Sequence, residues 1–406
     1  MKIGILRETK IPADTRAPLT PIQCKAIHDE LPEFHIMAQP SSSRCFSDNA
    51  YQKLGIEVKE DVSDCDFLMG IKEVAPASLL PGKTYFFFSH TLKKQPHNRL
   101  LLRTVLEKGI TLIDYEILTD SNGIRILGFG RWAGLIGSYL GVRALCMKHG
   151  YARLPLPSEC TGLKEMMDFA GICPLPPVRI AITGDGRVAG GAEEMMNAFR
   201  VQKVTVHDYL TQMNFELPVY AQLDPEKYNR LKNGSSFELA HFFSSPGDYE
   251  SNFGRFCDRT DLLIMAAYWD PRAPLLFTNQ QMKEDAFRIS VIADITCDLN
   301  GSVPSTIKTT TFENPYYDYN PHNGLAEPAF SLNRNITVMS IDNLPNGLPR
   351  EASTDFGYSI VKTILPLLKG NDPENILEKA TIVKEGKLTK NFEYLYSWAI
   401  SDNSQL

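Results

Sequence analysis

The chain has 406 residues, which is more than one hydrophobic core ordinarily organises, so two domains are expected. Its net charge of −6 gives no positive surface for nucleic acid or an anionic membrane, and its apolar runs are too short for a signal peptide or a membrane span. The eight cysteines include no C-x-x-C pair, so neither a metal site nor a disulfide framework is expected, and a reducing, cytoplasmic setting is the simplest interpretation.

Residues 1–130 alternate between strand and helix signals. A helix should begin at Thr20-Pro21, where an N-cap residue precedes a proline at the first helical position, and another should cover Asn98–Lys108. This alternation predicts an α/β domain with a largely parallel sheet. The short apolar runs typical of its strands are Ile3–Leu6, Phe34–Ala38, Asp66–Lys72, Thr84–Ser89 and Thr111–Asp114.

Ionisable side chains follow the ends of three of these predicted strands. Lys72 and Glu73 close one strand, His90 closes another, and Glu116 follows a third. Sites in open α/β sheets form at the carboxyl ends of strands, and a lysine beside a carboxylate and a histidine can acquire pKa values suited to proton transfer. A structural histidine and a helix-capping glutamate remain alternative interpretations.

Three cations lie in the loops nearest these strand ends: Arg16, Lys93 and Arg125. An arginine is the natural bidentate partner of a carboxylate, so these loops favour an acidic substrate. A solvated surface charge is the alternative for each of the three residues.

After a long predicted helix, Leu135–His149, the chain carries a glycine fingerprint. The apolar run Val178–Thr183 predicts a buried strand, and Gly184-Asp-Gly186-Arg-Val-Ala189 matches G-x-G-x-x-G/A before a helical run to Arg200. The first glycine permits the tight turn, the second lets a pyrophosphate approach the backbone, and the small third residue lets the helix pack on the strand. Phosphates would then face the N–H groups at the start of the helix.

An acid follows this unit at the distance that the fingerprint requires. Val204–Val206 is predicted as the second strand, and Asp208, about 20 residues beyond the glycines, can accept hydrogen bonds from ribose hydroxyls. A carboxylate there repels a 2′-phosphate and favours NAD slightly over NADP, whereas Arg187 in the loop weakens that preference. The alternative is an ordinary turn between a strand and a helix.

The rest of the chain completes a second α/β region. Residues 211–257 are polar and predict an insertion with short helices. A helix should cover about Pro349–Lys369, and the last 35 residues predict a charged surface tail. Further strands are predicted at Leu262–Ala267, Ile289–Ala293 and Ile336–Ile341.

Several segments together resemble one enzyme family in colinear order over nearly the whole chain. The chain resembles the lysine-forming saccharopine dehydrogenases, and more closely the lysine–2-oxoglutarate reductase part of the bifunctional aminoadipate semialdehyde synthases; alanine dehydrogenases and transhydrogenase nucleotide domains are more distant. The segments are Arg16-Ala-Pro-Leu-Thr-Pro, Gly70-Ile-Lys-Glu, Lys83-Thr-Tyr-Phe-Phe-Phe-Ser-His-Thr, Leu112-Ile-Asp-Tyr-Glu, Gly128-Phe-Gly-Arg-Trp-Ala-Gly, Asp294-Ile-Thr-Cys-Asp and Ser340-Ile-Asp-Asn-Leu-Pro.

The resemblance implies two Rossmann-like domains with a cofactor and substrate cleft between them. A substrate domain would comprise residues 1–138 and 345–406, and a dinucleotide domain residues 139–344. The implied acid–base pair is Lys72 and His90, with Glu73 and Glu116 tuning Lys72. Substrate carboxylates would be bound by Arg16, Lys93 and Arg125, and the dinucleotide by Gly184, Gly186, Arg187, Asp208, Ile341, Asp342 and Leu344.

The implied reaction is the reductive condensation of L-lysine with 2-oxoglutarate to saccharopine, or its reverse, with NAD or NADP. The small-molecule substrates are therefore an amino acid and an oxo acid. The insertion resembles the reductase-type members, which often prefer NADPH, while Asp208 favours NAD, so both cofactors remain open. An alanine dehydrogenase-like enzyme and an inactive NAD(P)-binding regulatory protein are the alternatives.

Overall fold

The computed structural model describes residues 1–401 and divides the chain into two compact units. One unit comprises Met1–Phe129 with Pro349–Leu406, and the other comprises Gly130–Leu348. Each contains an eight-stranded, mixed sheet with helices, which confirms the α/β class and the two Rossmann-like domains. Within residues 1–401, no helix combines the length and the apolar character needed to cross a membrane.

The sheet of the first unit contains every strand predicted for residues 1–130. Its central strands run parallel, as the strand–helix alternation requires. From edge to edge the strands are Lys387–Leu388, Thr381–Lys384, Thr111–Asp114, Thr84–Phe87, Phe67–Met69, Lys2–Ile5, His35–Ala38 and Glu57–Val58.

The three helices predicted for this unit are present and begin at Pro21, Arg99 and Pro349. Thr20 caps the first helix: its Oγ1 accepts from the Gln23 N–H, and the Thr20 N–H donates to Gln23 Oε1, which forms a capping box. The long helix that starts at Pro349 continues through a π-helical turn, Ile360–Ile364. The helices are Pro21–Glu30, Asp48–Gln52, Arg99–Glu107, Pro349–Ser359, Leu365–Leu368, Ile376–Lys379 and Tyr396–Ile400, with 3-10 turns at Pro76–Ser78, Pro96–Asn98, Tyr115–Ile117 and Lys390–Leu395.

The prediction of a charged surface tail after residue 371 is wrong for the described part of that segment. Thr381–Lys384 pairs antiparallel with Thr111–Asp114, and Ile382 and Val383 are fully buried. Leu395 and Ala399 are buried in the same core cluster. Apolar residues are a minority in this segment, so its composition resembles that of a surface tail. These few residues nevertheless pack into the core at one edge of the sheet. Residues 402–406 lie outside the described residues.

The sheet of the second unit also has a parallel centre and an antiparallel edge. The parallel strands are joined in register, with Arg179–Thr183 between Val219–Leu223 and Leu262–Met265. From edge to edge the strands are Leu325–Glu327, Tyr317–Asn320, Ile336–Met339, Val291–Asp294, Leu262–Met265, Arg179–Thr183, Val219–Leu223 and Gln202–Lys203.

Residues 211–257 form more regular structure than the predicted polar insertion. Val219–Leu223 is an inner strand of the sheet, and Asn229–Leu231 pairs with Tyr249–Ser251 in a separate antiparallel ribbon. The predicted short helices are present. The helices of the unit are Gly130–His149, Leu163–Gly171, Arg187–Ala198, Val206–Thr211, Pro225–Tyr228, Leu239–Ser244 and Gly254–Cys257, with 3-10 turns at Pro157–Glu159, Pro246–Asp248, Gln281–Lys283 and Leu344–Gly347.

The long helix of this unit begins at Gly130, five residues before the predicted start at Leu135, and crosses the helix Arg187–Ala198 in close contact. A Cβ atom on Gly134 would lie 2.0 Å from the Val188 carbonyl oxygen, and one on Gly191 would lie 2.1 Å from the Arg131 carbonyl oxygen. Only glycine permits these backbones to approach so closely. This contact fixes the helix that follows the glycine loop.

Candidate active site

His90 lies at the end of the strand Thr84–Phe87 in a chain of charged contacts. Its Nδ1 is 3.1 Å from Glu73 Oε2, and the Nζ of Lys10 is 3.0 Å from Glu73 Oε1. Burial opposes ionisation of Glu73, but the hydrogen bond from His90, the backbone and the positive charges lower its pKa to about 2. An ionised Glu73 accepts from Nδ1–H, and this hydrogen bond fixes the orientation of the imidazole ring.

The backbone of His90 is held in an uncommon conformation. Its φ of 52° lies in the left-handed region, which non-glycine residues seldom adopt. Asn98 Nδ2 donates to the His90 carbonyl oxygen at 3.3 Å, and the imidazole stacks on Phe88. Strained backbone of this kind persists where surrounding contacts fix it, and it is concentrated at functional sites.

Lys72 follows the neighbouring strand, Phe67–Met69, and a half-buried carboxylate, that of Glu8, fixes its backbone. Glu8 Oε1 accepts from the Ile71 N–H at 2.6 Å, and Glu8 Oε2 accepts from the Lys72 N–H at 2.9 Å. The two strands pair in parallel, so Lys72 and His90 leave the sheet at the same edge. Burial and the neighbouring Asp14 carboxylate raise the pKa of Glu8 to about 7.

We expect Glu8→Gln to remove a pH dependence of stability. The folded-state pKa of Glu8, about 7, lies above its ordinary value of 4.5, so the folded state binds the proton more tightly and loses stability as pH rises between these values. The loss is on the order of 1–3 kcal/mol. Urea unfolding at about pH 5 and about pH 8 should show a smaller decrease for the variant than for the unmodified protein. Equal decreases in both proteins would contradict the prediction.

Arg16 is buried, and its guanidinium is engaged within the protein. Its side chain is 3% exposed and forms a paired contact with Asp14, with Arg16 Nε 2.9 Å from Asp14 Oδ1. The guanidinium also lies 4.0 Å from the centroid of the Phe129 ring, which stacks on Phe356. Burial opposes ionisation of Asp14, but the charge and hydrogen bonds of Arg16 lower the Asp14 pKa to about 2. Arg16 therefore has a structural partner in addition to its predicted role with substrate.

The other predicted cations differ in their surroundings. Arg125 Nη2 is 3.2 Å from Glu116 Oε1, and its side chain is partly exposed, whereas Lys93 is exposed. The second oxygen of Glu116, Oε2, is buried and has no hydrogen-bond partner within residues 1–401. A buried carboxylate oxygen without a partner is costly, and it is a place where a bound amine or hydroxyl can donate.

Sequence reasoning missed the acidic and basic partners in the loop after the first strand: Glu8, Lys10 and Asp14. The signal was available, because this loop follows the carboxyl end of Lys2–Ile5, a central strand of the same sheet. The loop after Lys2–Ile5 thus adds charged groups around the predicted residues, which are Arg16, Lys72, Glu73 and His90.

In the second unit the glycine loop makes a tight turn at Gly184 and has open space beside Gly186. Gly184 has a φ of +90°, and a Cβ there would lie 3.0 Å from Ala267 Cα, so only glycine fits. A Cβ on Gly186, by contrast, would meet nothing within 4 Å, which leaves open space beside the backbone where a pyrophosphate can approach. Arg187 is the first residue of the helix Arg187–Ala198 and is exposed, and Ala189 is buried against the fold.

Asp208 does not follow a strand. The predicted strand Val204–Val206 is absent; instead Thr205 caps the helix Val206–Thr211. Its Oγ1 accepts from the Asp208 N–H at 3.1 Å and donates to Asp208 Oδ2 at 2.7 Å. The spacing Thr205-x-x-Asp208 is itself a helix-start signal that the strand prediction overlooked. Ribose binding by Asp208 stays a prediction.

A different acid follows the strand beside the glycine loop. Val219–Leu223 pairs with Arg179–Thr183, and Asp224 comes directly after it. Gln222 Nε2 donates to the Gly184 carbonyl oxygen at 3.1 Å, which ties this strand end to the loop. Burial and the nearby Asp185 carboxylate raise the pKa of Asp224. Asp224 therefore occupies the strand-end position for which Asp208 was predicted.

The predicted nicotinamide loop is anchored by its apolar residues. Ile341 and Leu344 are buried, while Asp342 between them is exposed. The backbone is fixed at Ser340, whose N–H donates to Thr310 Oγ1 at 3.0 Å. The role of Asp342 beside the nicotinamide stays a prediction.

Two family models match this chain. "Alanine dehydrogenase/PNT, N-terminal domain" matches residues 4–136, and "Alanine dehydrogenase/PNT, C-terminal domain" matches residues 164–396. Among solved structures, an L-alanine dehydrogenase superposes with a TM-score of 0.67 at 18% identity, covering 98% of this chain and 100% of that one. A transhydrogenase from Sinorhizobium meliloti superposes with a TM-score of 0.59 at 14% identity, covering 96% and 100%.

Curated relatives match along nearly the full chain. An alpha-aminoadipic semialdehyde synthase of Arabidopsis thaliana is 29% identical over 97% of this chain and 41% of its own length, and the mitochondrial one of Bos taurus is 28% identical over 97% and 47%. The chain thus spans about half the length of these relatives. A saccharopine dehydrogenase [NAD(+), L-lysine-forming] of Emericella nidulans is 26% identical over 92% of this chain and 93% of its own.

Proposed function

Because the chain belongs to the alanine dehydrogenase/PNT family, we propose that it is a nicotinamide-dependent oxidoreductase that joins L-lysine and 2-oxoglutarate reductively to saccharopine, or runs the reverse reaction. The observation that carries the proposal is the pair Lys72 and His90 at adjacent strand ends, each fixed by a carboxylate, Glu8 or Glu73. The names of the relatives in two groups, semialdehyde synthases and saccharopine dehydrogenases, support this substrate choice over alanine.

The first unit would bind the substrates and move the protons. The lysine ε-amine attacks the oxo-acid carbonyl, whose oxygen takes a proton and leaves as water to give an imine. Lys72 and His90 supply and accept these protons, and Glu73 keeps one ring nitrogen of His90 occupied so that the other is available. The unpartnered Glu116 oxygen would accept from an amine, and Arg125, Lys93 and Arg16 favour the carboxylates of the product.

The second unit would bind the dinucleotide. When bound, this cofactor supplies the hydride that reduces the imine. The overall reaction consumes one NAD(P)H and one proton and releases one water. The open space at Gly186 and the helix that begins at Arg187 suit a pyrophosphate. Asp342 would lie near the nicotinamide. NAD is slightly favoured, because the strand end beside the loop carries an acid and no arginine.

We expect Asp224→Ala to weaken NADH binding more than NADPH binding. The change removes an acceptor for ribose hydroxyls and also removes repulsion of a 2′-phosphate, so the NADH:NADPH affinity ratio should fall by roughly 10-fold, the effect of about 1.4 kcal/mol. Fluorescence titration of both reduced cofactors measures the ratio. Asp208→Ala, which removes the acid first predicted to bind the ribose, is measured alongside it. A change in the affinity ratio for Asp208→Ala and not for Asp224→Ala would show that Asp208 binds the ribose.

The reaction itself is tested by oxidation of NADH and of NADPH against pairs of substrates. Turnover with 2-oxoglutarate and lysine, without turnover on pyruvate and ammonia, supports the proposal. The opposite result would replace it with alanine dehydrogenase activity. Cofactor binding without turnover on any amino or oxo acid would favour an inactive regulatory protein; the presence of Lys72, His90 and the three cations argues against that outcome.

A further inference from the structure

Two cysteine side chains meet within the second unit, on the segment that leads into the strand Arg179–Thr183. Cys146 lies in the last turn of the helix Gly130–His149, and Cys173 follows the helix Leu163–Gly171. Their Sγ atoms are 3.7 Å apart, although 27 positions separate the two residues in sequence. Two sulfur atoms at this distance are in contact, and a disulfide bond would need them about 1.7 Å closer.

The two thiols differ in their access to solvent. Cys146 is 0% exposed, whereas Cys173 is partly exposed and belongs to no helix or strand. A small shift of residue 173 can therefore bring the sulfur atoms together without disturbing the helix that holds Cys146. A reagent of the size of a tripeptide can reach Cys173 and cannot reach Cys146.

The contact between the thiols also favours ionisation of Cys173. A hydrogen bond from the Cys146 thiol lowers the pKa of Cys173 against the opposing effect of burial, and the same hydrogen bond and burial raise the pKa of Cys146. The thiolate is the form that attacks a disulfide, so Cys173 is the better nucleophile of the two. An accessible cysteine of lowered pKa beside a second, resolving cysteine is the arrangement typical of redox-sensitive sites.

We propose that Cys146 and Cys173 form a site of reversible oxidation, at which a small disulfide such as glutathione disulfide converts the two thiols to an intramolecular disulfide. The Cys173 thiolate attacks one sulfur of glutathione disulfide, whose S–S bond breaks and releases one glutathione thiolate. Cys146 then loses its proton to solvent and attacks the Cys173 sulfur of the mixed disulfide, and the second glutathione thiolate leaves. The two protein thiols have then lost two electrons and two protons, and one glutathione disulfide has become two glutathione molecules.

The cross-link would join two helices that both pack against the helix Arg187–Ala198, which follows the glycine loop. Gly134 of the long helix contacts it closely, and a Cβ on Gly171, the last residue of the other helix, would lie 3.6 Å from the Ala198 carbonyl oxygen. In a reducing compartment the site is reduced at rest and is oxidised when the oxidised fraction of the thiol pool rises. This inference does not depend on which substrates the protein uses.

The test is equilibration of the full chain with mixtures of reduced and oxidised glutathione, followed by acid quenching, alkylation in denaturant and peptide mass spectrometry. At a high oxidised fraction we expect a peptide that links Cys146 to Cys173, and both residues should lose their reactivity towards the alkylating reagent. Dithiothreitol should restore that reactivity. Free thiols at both positions under every mixture, or a glutathione adduct on Cys173 that does not proceed to the cross-link, would overturn the inference.

Three variants separate the roles of the cysteines, and far-UV circular dichroism checks that each is folded. Cys146→Ala removes the resolving thiol, so the glutathione adduct on Cys173 should accumulate in place of the cross-link. Cys173→Ser should leave the buried Cys146 unmodified. Cys160→Ser is the matched control, because Cys160 is a partly exposed cysteine of the same connection whose thiol donates to the Leu156 carbonyl oxygen at 3.6 Å, and its cross-link should form as in the unmodified protein. A disulfide from Cys160 to either of the other two cysteines would contradict the assignment.

Discussion

Replacing Lys72 with methionine is expected to lower turnover of lysine with 2-oxoglutarate by roughly 10²–10⁴-fold, the ordinary contribution of general acid–base catalysis. Methionine has about the length of lysine without its ammonium group, and the Glu8 hydrogen bond to residue 72 involves only the backbone, so the local fold should persist. His90→Gln should cause a loss of the same order. Cofactor affinity should not change, because the glycine loop is built entirely within the other unit.

Single-turnover and steady-state assays at saturating cofactor measure the loss of turnover, and fluorescence titration of the cofactor measures its affinity separately. His97→Gln, at an exposed position in the 3-10 turn Pro96–Asn98, is the matched control and should retain full activity. Glu73→Gln removes the ionised partner of His90 and should displace the pH–rate profile rather than abolish the rate. Full activity of both Lys72→Met and His90→Gln would remove these residues from the mechanism.

Arg16→Gln is expected to destabilise the fold by about 3–5 kcal/mol, the usual result of breaking a buried ion pair from one side. Asp14 would be left with its side chain 1% exposed and without the cation that lowers its pKa to about 2. In the unmodified protein Asp14 contributes stability above its ordinary pKa of 3.8, and that contribution is lost as pH falls towards about 2. In the variant the burial of Asp14 is opposed by the more distant charge of Lys72 and no longer by the guanidinium of Arg16, so the Asp14 pKa should rise and stability should instead decline as pH rises above about 4.

Urea unfolding of the two single variants, Arg16→Gln and Asp14→Asn, and of the double variant completes a double-mutant cycle. The double variant should recover part of the loss, because no unpaired charge remains. The KM for 2-oxoglutarate, measured below the unfolding range, reports any direct contact with substrate. An increase in KM without a loss of stability would show that Arg16 serves the substrate alone and that the Asp14 pair is dispensable.

The features that the sequence predicted well depend on neighbours along the chain. The strand Arg179–Thr183 follows from a β-branched run, and the helix at Pro21 follows from an N-cap and a proline. Gly184 follows from a turn that only glycine can make. Lys72, Glu73 and His90 were predicted because strand ends in an α/β sheet share one edge, a rule that needs only the order of strands and helices.

The predictions that failed or stayed incomplete involve partners distant in sequence. Val219–Leu223 is a strand because it pairs with Arg179–Thr183, and Thr381–Lys384 because it pairs with Thr111–Asp114. Neither segment has a local signal strong enough to outweigh its polar surroundings. Because Val219–Leu223 is the strand beside the glycine loop, the acid at the end of that strand is Asp224 and not Asp208.

By itself the sequence determined the α/β class, the glycine loop and the identities of the ionisable residues at the strand ends. Only the tertiary structure decided which charge each of them meets: Glu73 for His90, Glu8 for the Lys72 backbone, and Asp14 for Arg16. The physical reason is one of range. Backbone conformation responds to the nearest few residues, whereas the free energy of a buried charge depends on every group packed around it, and the fold alone brings those groups together.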